Sequence, residues 1–206
     1  MSKIQANQIQ HTQNGAAVFT LPTSDGSTGQ VLKSDGSGNL SFVNLPTGGV
    51  SEIDYWRLTS SFQGNAYHIQ SNWERSDSQL EDKKGTGMSE SSGLFTFPST
   101  GYWYVEFNLT GYRGAGSTIY NITQYIRTTT SGNTSSGTLY NLSNNTSMYS
   151  PSGNSHFTQS ARMVLKCSNT SNDKVFFGCQ GEQYIYMQGS STESFTYVVF
   201  IKLADI

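Results

Sequence analysis

The stretch GYWYVEFNLTGY, residues 101–112, alternates between two kinds of side chain. A period of two residues is that of a β-strand with one buried face. The predicted inward face carries Trp103, Val105, Phe107 and Leu109. The opposite face carries Tyr102, Tyr104, Glu106 and Asn108. No long window of the chain has a helical period, so the fold must be built around a sheet.

Similar alternations recur through residues 51–206 and predict further strands. Their predicted inward faces are Tyr120, Ile122 and Ile126 in TIYNITQYIRT, Met163, Leu165 and Cys167 in ARMVLKC, and Val175, Phe177 and Cys179 in KVFFGC. Composition agrees, because 12 Tyr, 11 Phe, 21 Gly and only 13% charged residues favour strands and turns. With IDYWRLTSSF, AYHIQSNW and a weaker strand around SGTLYNL, the region supplies about eight strands, enough for a jelly-roll β-sandwich. We therefore predict an all-β fold.

The last predicted strand, SFTYVVFIKL, is apolar on both faces. We assign Phe195, Tyr197, Val199, Ile201 and Leu203 to the inward face, which leaves Val198 and Phe200 on the other. A strand with two apolar faces is covered on both sides. The simplest second cover is another copy of the chain, so we expect an oligomer whose interface contains Tyr102, Tyr104, Val198 and Phe200.

The composition shifts near LPTGGV, residues 45–50, where small polar residues give way to dense aromatic alternation. We predict three parts: an extended anchor at residues 1–20, a Gly/Ser-rich β-hairpin stalk and linker at residues 21–50, and the jelly-roll head at residues 51–206. The stalk contains Ser-Asp-Gly-Ser twice. A calcium loop is excluded, because Val31, Lys33 and Phe42 occupy positions that need oxygen ligands.

A phosphate loop is also excluded, since no Gly-Lys-Ser/Thr opens a helix. Asp-Gly and Gly-Asn instead supply the turn of a short hairpin whose strands carry Val31, Leu32, Leu40 and Phe42. Such a hairpin is too small to be stable alone. Three copies around an axis would bury its apolar side chains together.

Several function classes are disfavoured. The formal net charge is −2, with 12 basic and 14 acidic residues scattered along the chain, so we expect no nucleic-acid partner. No apolar run reaches the length of a signal peptide or a membrane span, so we expect neither secretion nor membrane insertion. Cys167 and Cys179 flank a predicted hairpin turn but do not face each other, which predicts two buried free thiols.

No enzyme, cofactor or metal is expected. His11, His68 and His156 lie in separate segments, without a nucleophile elbow or a spaced acidic partner. An enzyme is the remotest alternative.

The stretch GLFTFPSTGYWYVEFNLTGY resembles the start of the globular head of the complement q-component family, which belongs with the tumour necrosis factor jelly rolls. Phe95, Gly101 and Phe107 keep that family's spacing. Trp103 and Val105 replace its usual Tyr and Phe, and the C-terminal SFTYVVFIKLADI resembles its closing strand. The resemblance implies a trimer packed along a central axis.

The N-terminal SKIQANQIQHTQNG and LPTSDGSTGQVLKSDGSGNLSF are similar to attachment and stalk segments of tailed-bacteriophage fibre and appendage proteins. The two resemblances together imply a short trimeric fibre of a virion. It would dock to other virion proteins through Ile4, Ile9, Val18 and Phe19.

In a jelly roll of this order, four connections meet at the tip of the head, near residues 63–66, 111–117, 141–157 and 181–193. They are rich in Tyr, Asn, Ser and Gly, which suit a bacterial surface glycan or an outer-membrane receptor. The candidate receptor-binding residues are Tyr112, Arg113, Tyr140, Tyr149, His156, Tyr184 and Tyr186. The alternatives are a capsid decoration or cement protein and a lectin-like trimer unrelated to virions.

Overall fold

The computed structural model describes residues 6–10, 18–45, 49–77, 83–113, 116–134, 139–150, 155–181 and 184–206. The chain divides into two compact units, Met1–Gly49 and Val50–Ile206. The described residues form strands, turns and bends and no helix, so they include no helix that could span a membrane.

The described residues of the first unit form two antiparallel strand pairs. Strands β1 (Gln8–Gln10) and β2 (Val18–Thr20) place Ile9 opposite Phe19, and strands β3 (Gln30–Ser34) and β4 (Leu40–Asn44) place Leu32 opposite Phe42. The β3–β4 pair confirms the predicted hairpin.

The turn of this hairpin is built by Asp35. Its Oδ1 accepts hydrogen bonds from the backbone amides of Ser37 (2.7 Å) and Asn39 (3.0 Å), and its Oδ2 accepts one from the Asn39 side chain (2.6 Å). Gly36 and Gly38 adopt φ angles of 81° and 92°, a region that glycine enters without steric cost. The second Asp-Gly, Asp35-Gly36, is therefore turn chemistry, as predicted.

The second unit is a sandwich of two antiparallel sheets. The described strands are β5 (Ile53–Leu58), β6 (Ser60–Gln63), β7 (Trp73–Arg75), β8 (Ser89–Ser91), β9 (Leu94–Thr96), β10 (Gly101–Arg113), β11 (Gly116–Thr129), β12 (Leu139–Ser150), β13 (Ser155–Cys167), β14 (Lys174–Gly181), β15 (Ile185–Ser190) and β16 (Tyr197–Ala204). The first sheet, called here the β10 sheet, has β13, β10, β16, β5 and β7 side by side in this order. Toward one end of β10, β15 takes the place of β16 as its neighbour, and β6 pairs with β15. The second, called here the β11 sheet, has the order β12-β11-β14-β9-β8.

If β5 with β6 and β15 with β16 each count as one interrupted strand, the described part has eight main strands, four in each sheet. Consecutive main strands cross from one sheet to the other, except β11 and β12, which pair within the β11 sheet. This arrangement is the predicted jelly roll. The short strands β7 and β8 are additional and lie at the edges of the two sheets. The segment AYHIQSNW, predicted as a strand, makes only an isolated bridge at Ala66 before β7 begins at Trp73.

The core lies between the two sheets and is dominated by aromatic rings. Phe177 of β14 contacts Phe107 of β10 at a centroid distance of 5.1 Å, Phe95 of β9 at 5.4 Å and Trp73 of β7 at 5.9 Å. Trp103, Val105, Phe107 and Leu109 are all buried, which confirms the inward face predicted for β10.

The predicted faces of the last strand are reversed. Val198 and Phe200 are fully buried, and the Phe200 ring lies 5.3 Å from Phe95. Tyr197, Val199 and Ile201 instead lie on the outward side and are partly exposed. The assignment of Val198 and Phe200 to an intersubunit interface is therefore wrong, because the core of a single chain already covers them.

The two cysteines are buried and free, as predicted. Burial raises the pKa of Cys167 to about 11 and that of Cys179 to about 12, so both thiols are protonated at neutral pH. The predicted hairpin between them is wrong. β13 pairs with β10 and β14 pairs with β11, so the turn around Asn169 carries the chain from one sheet to the other.

Candidate functional site

Four connections of the sandwich meet at one end, which we call the Arg113 end. The strand registers show this, because Arg113 pairs with both Ser155 and Ile185, Tyr186 pairs with Gln63, and Gly116 pairs with Ser150. The predicted convergence of the four connections is confirmed. Their predicted lengths are wrong, since β12, β13 and β15 continue through much of the ranges 141–157 and 181–193.

Three of the candidate receptor-binding residues form a row across the outward side of the β10 sheet. The Tyr112 ring stacks on the Tyr186 ring of β15 with centroids 4.9 Å apart and planes inclined by 9°. On its other side it contacts the His156 ring of β13 at 5.6 Å. These residues stand on paired strands rather than in loops, so strand register fixes their spacing.

The other candidates fall into three groups. Tyr184 is exposed in the connection before β15 and has a φ of 77°, the left-handed conformation that non-glycine residues seldom adopt. Arg113 is only 1% exposed, so the prediction that it contacts a receptor directly is wrong. Tyr140 and Tyr149 belong to β12, and their side chains lie outside the described part of the structure.

The outward side of the β10 sheet continues from this aromatic row to the opposite end of the sandwich. Its middle is polar: Ser160 donates to Asn108 over 2.9 Å, and Arg162 pairs with Glu106 over 3.3 Å. Apart from the exposed Lys166 opposite Tyr102, the half beyond is apolar. Val164 is 57% exposed and lies beside Tyr104, whose neighbour on the other side is Ile201. We call this half, formed by Tyr102, Tyr104, Val164, Val199 and Ile201, the Val164 patch.

The predicted interface residues Tyr102 and Tyr104 lie in the Val164 patch. Tyr102 is 41% exposed, and the Tyr104 hydroxyl donates to Glu106 over 2.7 Å. Burial, followed by this hydrogen bond, raises the pKa of Tyr104. Both tyrosines lie on the outward face of β10, as an interface between copies would require. Their contact with a second copy stays a prediction.

A half-open cavity of about 470 Å³ lies at the end of the sandwich opposite Arg113. Phe97, Met163 and Leu165 form apolar walls. Two charged groups at its margin already have partners: Asp173 accepts two backbone amide hydrogen bonds, and Lys174 donates to the carbonyl of Thr170 over 2.7 Å. Val164 also borders the cavity, which therefore extends the apolar character of the Val164 patch.

In the first unit, the predicted docking residues Ile9, Val18 and Phe19 lie on the short β1–β2 pair, with their side chains exposed. Ile4 lies outside the described residues. None of the described residues of this unit is buried, including the apolar side chains of the β3–β4 hairpin. The unit thus presents apolar surface that its own chain does not cover.

The described histidines are packed against rings. His68 lies 4.8 Å from Phe176, and burial lowers its pKa below the ordinary 6.5. His156 lies against Tyr112, and His11 is outside the described residues. Among the residues that the structure describes, no group of three or more His, Cys, Asp and Glu side chains could hold a metal ion.

A cluster that the sequence did not indicate lies on the outward side of the β11 sheet. The guanidinium carbon of Arg127 is 4.4 Å from the ring centroid of Tyr125 and 5.6 Å from that of Tyr67. Arg127 and Tyr125 are two residues apart on β11, whereas Tyr67 comes from a segment distant in sequence. Only the alternation of TIYNITQYIRT could have placed Tyr125 and Arg127 on one face.

No protein-family model matches this chain, and no curated protein matches it. Solved structures do resemble its fold. The structure of Eiger TNF from S. frugiperda aligns with a TM-score of 0.52 at 13% identity, over 77% of this chain and 96% of that one. A crystal structure of murine APRIL aligns with a TM-score of 0.49 at 10% identity, over 74% and 98% of the two chains. The likeness to Eiger TNF confirms the predicted jelly-roll fold class.

Proposed function

We propose that the chain is a non-enzymatic structural protein of a tailed-bacteriophage virion, a short homotrimeric fibre. Its N-terminal unit would dock to other virion proteins, and its jelly-roll head would contact a bacterial surface glycan or outer-membrane receptor. The observation that carries the proposal is the pairing of a well-packed jelly-roll head with a small N-terminal unit that has no buried described residue. A unit of this kind requires a partner.

The Val164 patch supports the homotrimer. A contiguous exposed apolar surface on a folded chain marks an interaction site. Tyr104 lies between Val164 on one neighbouring strand and Ile201 on the other, so the patch crosses three strands. Packing around an axis would cover it with other copies, as the resemblance to the complement q-component and tumour necrosis factor family implies.

The first unit supports attachment. Ile9 pairs with Phe19, and Leu32 pairs with Phe42, so apolar side chains are collected on short strands that leave them exposed. Packing of three copies would cover part of this apolar surface. A virion protein would cover the rest and would contact Ile9, Val18 and Phe19.

Receptor contact would use the Arg113 end of each head, where Tyr184 is exposed. Three weak sites on one trimer of heads, and several such trimers on one particle, would raise the effective affinity for the host surface without any strong single site. If the trimer packs along the whole β10 sheet, Tyr112, His156 and Tyr186 would line that contact near its Arg113 end, and Tyr184 would be the accessible aromatic residue.

The proposal is tested by locating the chain on particles and by competition. We expect gold-labelled antibody against the head to mark a projecting appendage, and the purified full-length chain to reduce infection of bacteria by particles that carry it. Label spread over the symmetry axes of the shell, without competition, would identify a decoration protein instead. Cell binding by a chain that no particle contains would identify a lectin-like trimer.

Docking has its own test. Deleting residues 1–20 should leave a folded, trimeric head that fails to join particles, because Ile9, Val18 and Phe19 are removed. The measurement is incorporation into purified particles together with sedimentation of the shortened chain. Normal incorporation of that chain would refute the docking assignment.

A further inference from the structure

The outward side of the β11 sheet carries an aromatic and cationic cluster, called here the Arg127 cluster and formed by Tyr67, Tyr125, Arg127 and Gln180. Tyr125 and Arg127 share the outward face of β11, opposite Gly178 and Phe176 of β14. Gly178 lets the segment around Tyr67 cross β14 closely, since a Cβ there would lie 2.2 Å from the Tyr67 carbonyl oxygen. The missing side chain thus brings the two tyrosines together.

The cluster is held in place by its own contacts. The two tyrosine rings are stacked with centroids 6.3 Å apart and planes inclined by 26°. Arg127 Nη1 donates to the Tyr67 carbonyl over 3.2 Å, and the Tyr125 hydroxyl donates to Gln180 Oε1 over 3.0 Å. The arginine is therefore oriented before any ligand arrives, which reduces the entropy cost of binding.

Three kinds of group remain available to a ligand. The Tyr67 side chain is 48% exposed and offers aromatic surface. Arg127 Nη2 donates no hydrogen bond to any residue that the structure describes, and the exposed Gln180 retains its amide N–H groups. Aromatic surface, a guanidinium and an amide donor match an apolar sugar face, an anionic group and a hydroxyl, respectively.

We propose that the Arg127 cluster binds an acidic saccharide, with the Arg127 guanidinium on the anionic group and Tyr67 against the sugar ring. This inference rests on the proposed function and gives the head a second contact with the host surface, on the outward side of the β11 sheet, in addition to the one proposed at the Arg113 end. A guanidinium pairs with carboxylate or phosphate through two parallel hydrogen bonds, which a neutral sugar cannot accept equally well. A polyanion such as nucleic acid is disfavoured, because the cluster contains one cation on a chain of net charge −2.

A purely structural role would have Arg127 fasten the Tyr67 segment to the sheet. Two observations favour a binding role in addition. Arg127 Nε is buried and has no hydrogen-bond partner among the residues that the structure describes, so the guanidinium is only partly satisfied within the described part of the chain. The Tyr67 ring also remains half exposed although it contacts the guanidinium.

The test is binding of short oligosaccharides to the full-length chain, measured by calorimetry with a uronic-acid series, a sugar-phosphate series and the neutral analogue of each. We expect one acidic series to bind at least tenfold more tightly than its neutral analogue, and the two series distinguish carboxylate from phosphate. Arg127→Gln should abolish that preference, and Arg127→Lys should retain only part of it, since lysine lacks the planar pair of donors.

Tyr67 supplies a matched pair of variants. Tyr67→Ala should weaken binding about tenfold through loss of the ring, whereas Tyr67→Phe should bind like the wild type. Lys84→Gln removes an exposed charge of the head outside the cluster and should leave binding unchanged. Hydrogen exchange of residues 60–75 would show whether each variant keeps the segment in place.

Equal affinity for acidic and neutral sugars would overturn the inference, as would unchanged acidic-sugar binding by Arg127→Gln with its segment in place. If the wild type binds none of these acidic sugars, the inference also fails. The proposed function is judged separately, by particle labelling and by competition with infection.

Discussion

The two units of this chain are both made of antiparallel strands, yet they differ in how their apolar residues are used. In the head, two facing sheets enclose Phe95, Phe107, Phe177 and Phe200, and each of these side chains is fully buried. In the first unit, short strands pair Leu32 with Phe42, and both side chains remain exposed. Pairing strands satisfies the backbone, but only a second layer buries the side chains.

The comparison implies that the head can be stable as a single chain, whereas the first unit depends on other chains. Substitutions in the head should therefore change global unfolding, and substitutions in the first unit should change local opening and assembly.

The largest effect on stability is expected for Phe177→Ala. Phe177 contacts four rings, those of Trp73, Phe95, Phe107 and Phe200, so its removal leaves a cavity at the centre of the sandwich. We expect the free energy of unfolding of the head to fall by about 3–5 kcal/mol, measured by urea denaturation. A loss below about 1 kcal/mol would contradict the core described above.

Val164→Glu should have the next largest effect, on assembly. Val164 is 57% exposed in one chain, so the substitution should leave the head folded. Within a trimer that covers the Val164 patch it would bury a charge in each copy, and the dissociation constant should rise at least a hundredfold, or about 2.7 kcal/mol. Tyr184→Glu, which places the same charge at the Arg113 end, is the control and should sediment like the wild type.

The sequence predicted the strands better than it predicted their partners. Alternation correctly assigned Trp103, Val105 and Phe107 to the core, because polar residues marked the other face. It failed for Val198 and Phe200, since both faces of that strand are apolar and a period of two then does not say which is inward. The turn around Asn169 suggested a hairpin, but the crossing between sheets is a property of the whole fold.

The candidate surfaces were less predictable. Tyr112, His156 and Tyr186 were correctly brought to one end, but the polar composition of their segments suggested loops where the structure has paired strands. Tyr67 meets Tyr125 only because Gly178 lets a distant segment cross β14, and no local pattern contains that information. Local patterns thus predict which face a side chain occupies, whereas its neighbours depend on tertiary contacts.

A smaller effect is expected for Phe42→Ser in the first unit. The Phe42 ring lies over Gly26, whose added Cβ would be 2.5 Å from the ring Cγ, so the substitution loosens contacts within the β3–β4 region. We expect the free energy of local opening to fall by about 1 kcal/mol per chain, with little change in the head. Hydrogen-exchange mass spectrometry of residues 26–44 is the measurement, and equal loosening of residues 101–113 would refute the independence of the two units.

The smallest effect concerns pH and His68. Its folded-state pKa lies below 6.5 because of burial, so the unfolded chain binds the proton more readily. Burial of the neutral His68 ring carries no protonation penalty above about pH 6.5. As the pH falls from there through the folded-state pKa, the unfolded chain gains a proton that the folded chain resists, and stability is lost. The difference in melting temperature between about pH 7.5 and about pH 5.5 should be smaller for His68→Gln than for the wild type. An identical difference would show that His68 does not contribute.

Homotrimeric assembly is the central claim, and sedimentation velocity of the full-length chain at micromolar concentration tests it most directly. We expect a single species with about three times the 22.6 kDa mass of one chain. A folded monomer under these conditions would contradict the claim, because the Val164 patch and the apolar side chains of the first unit would then face water.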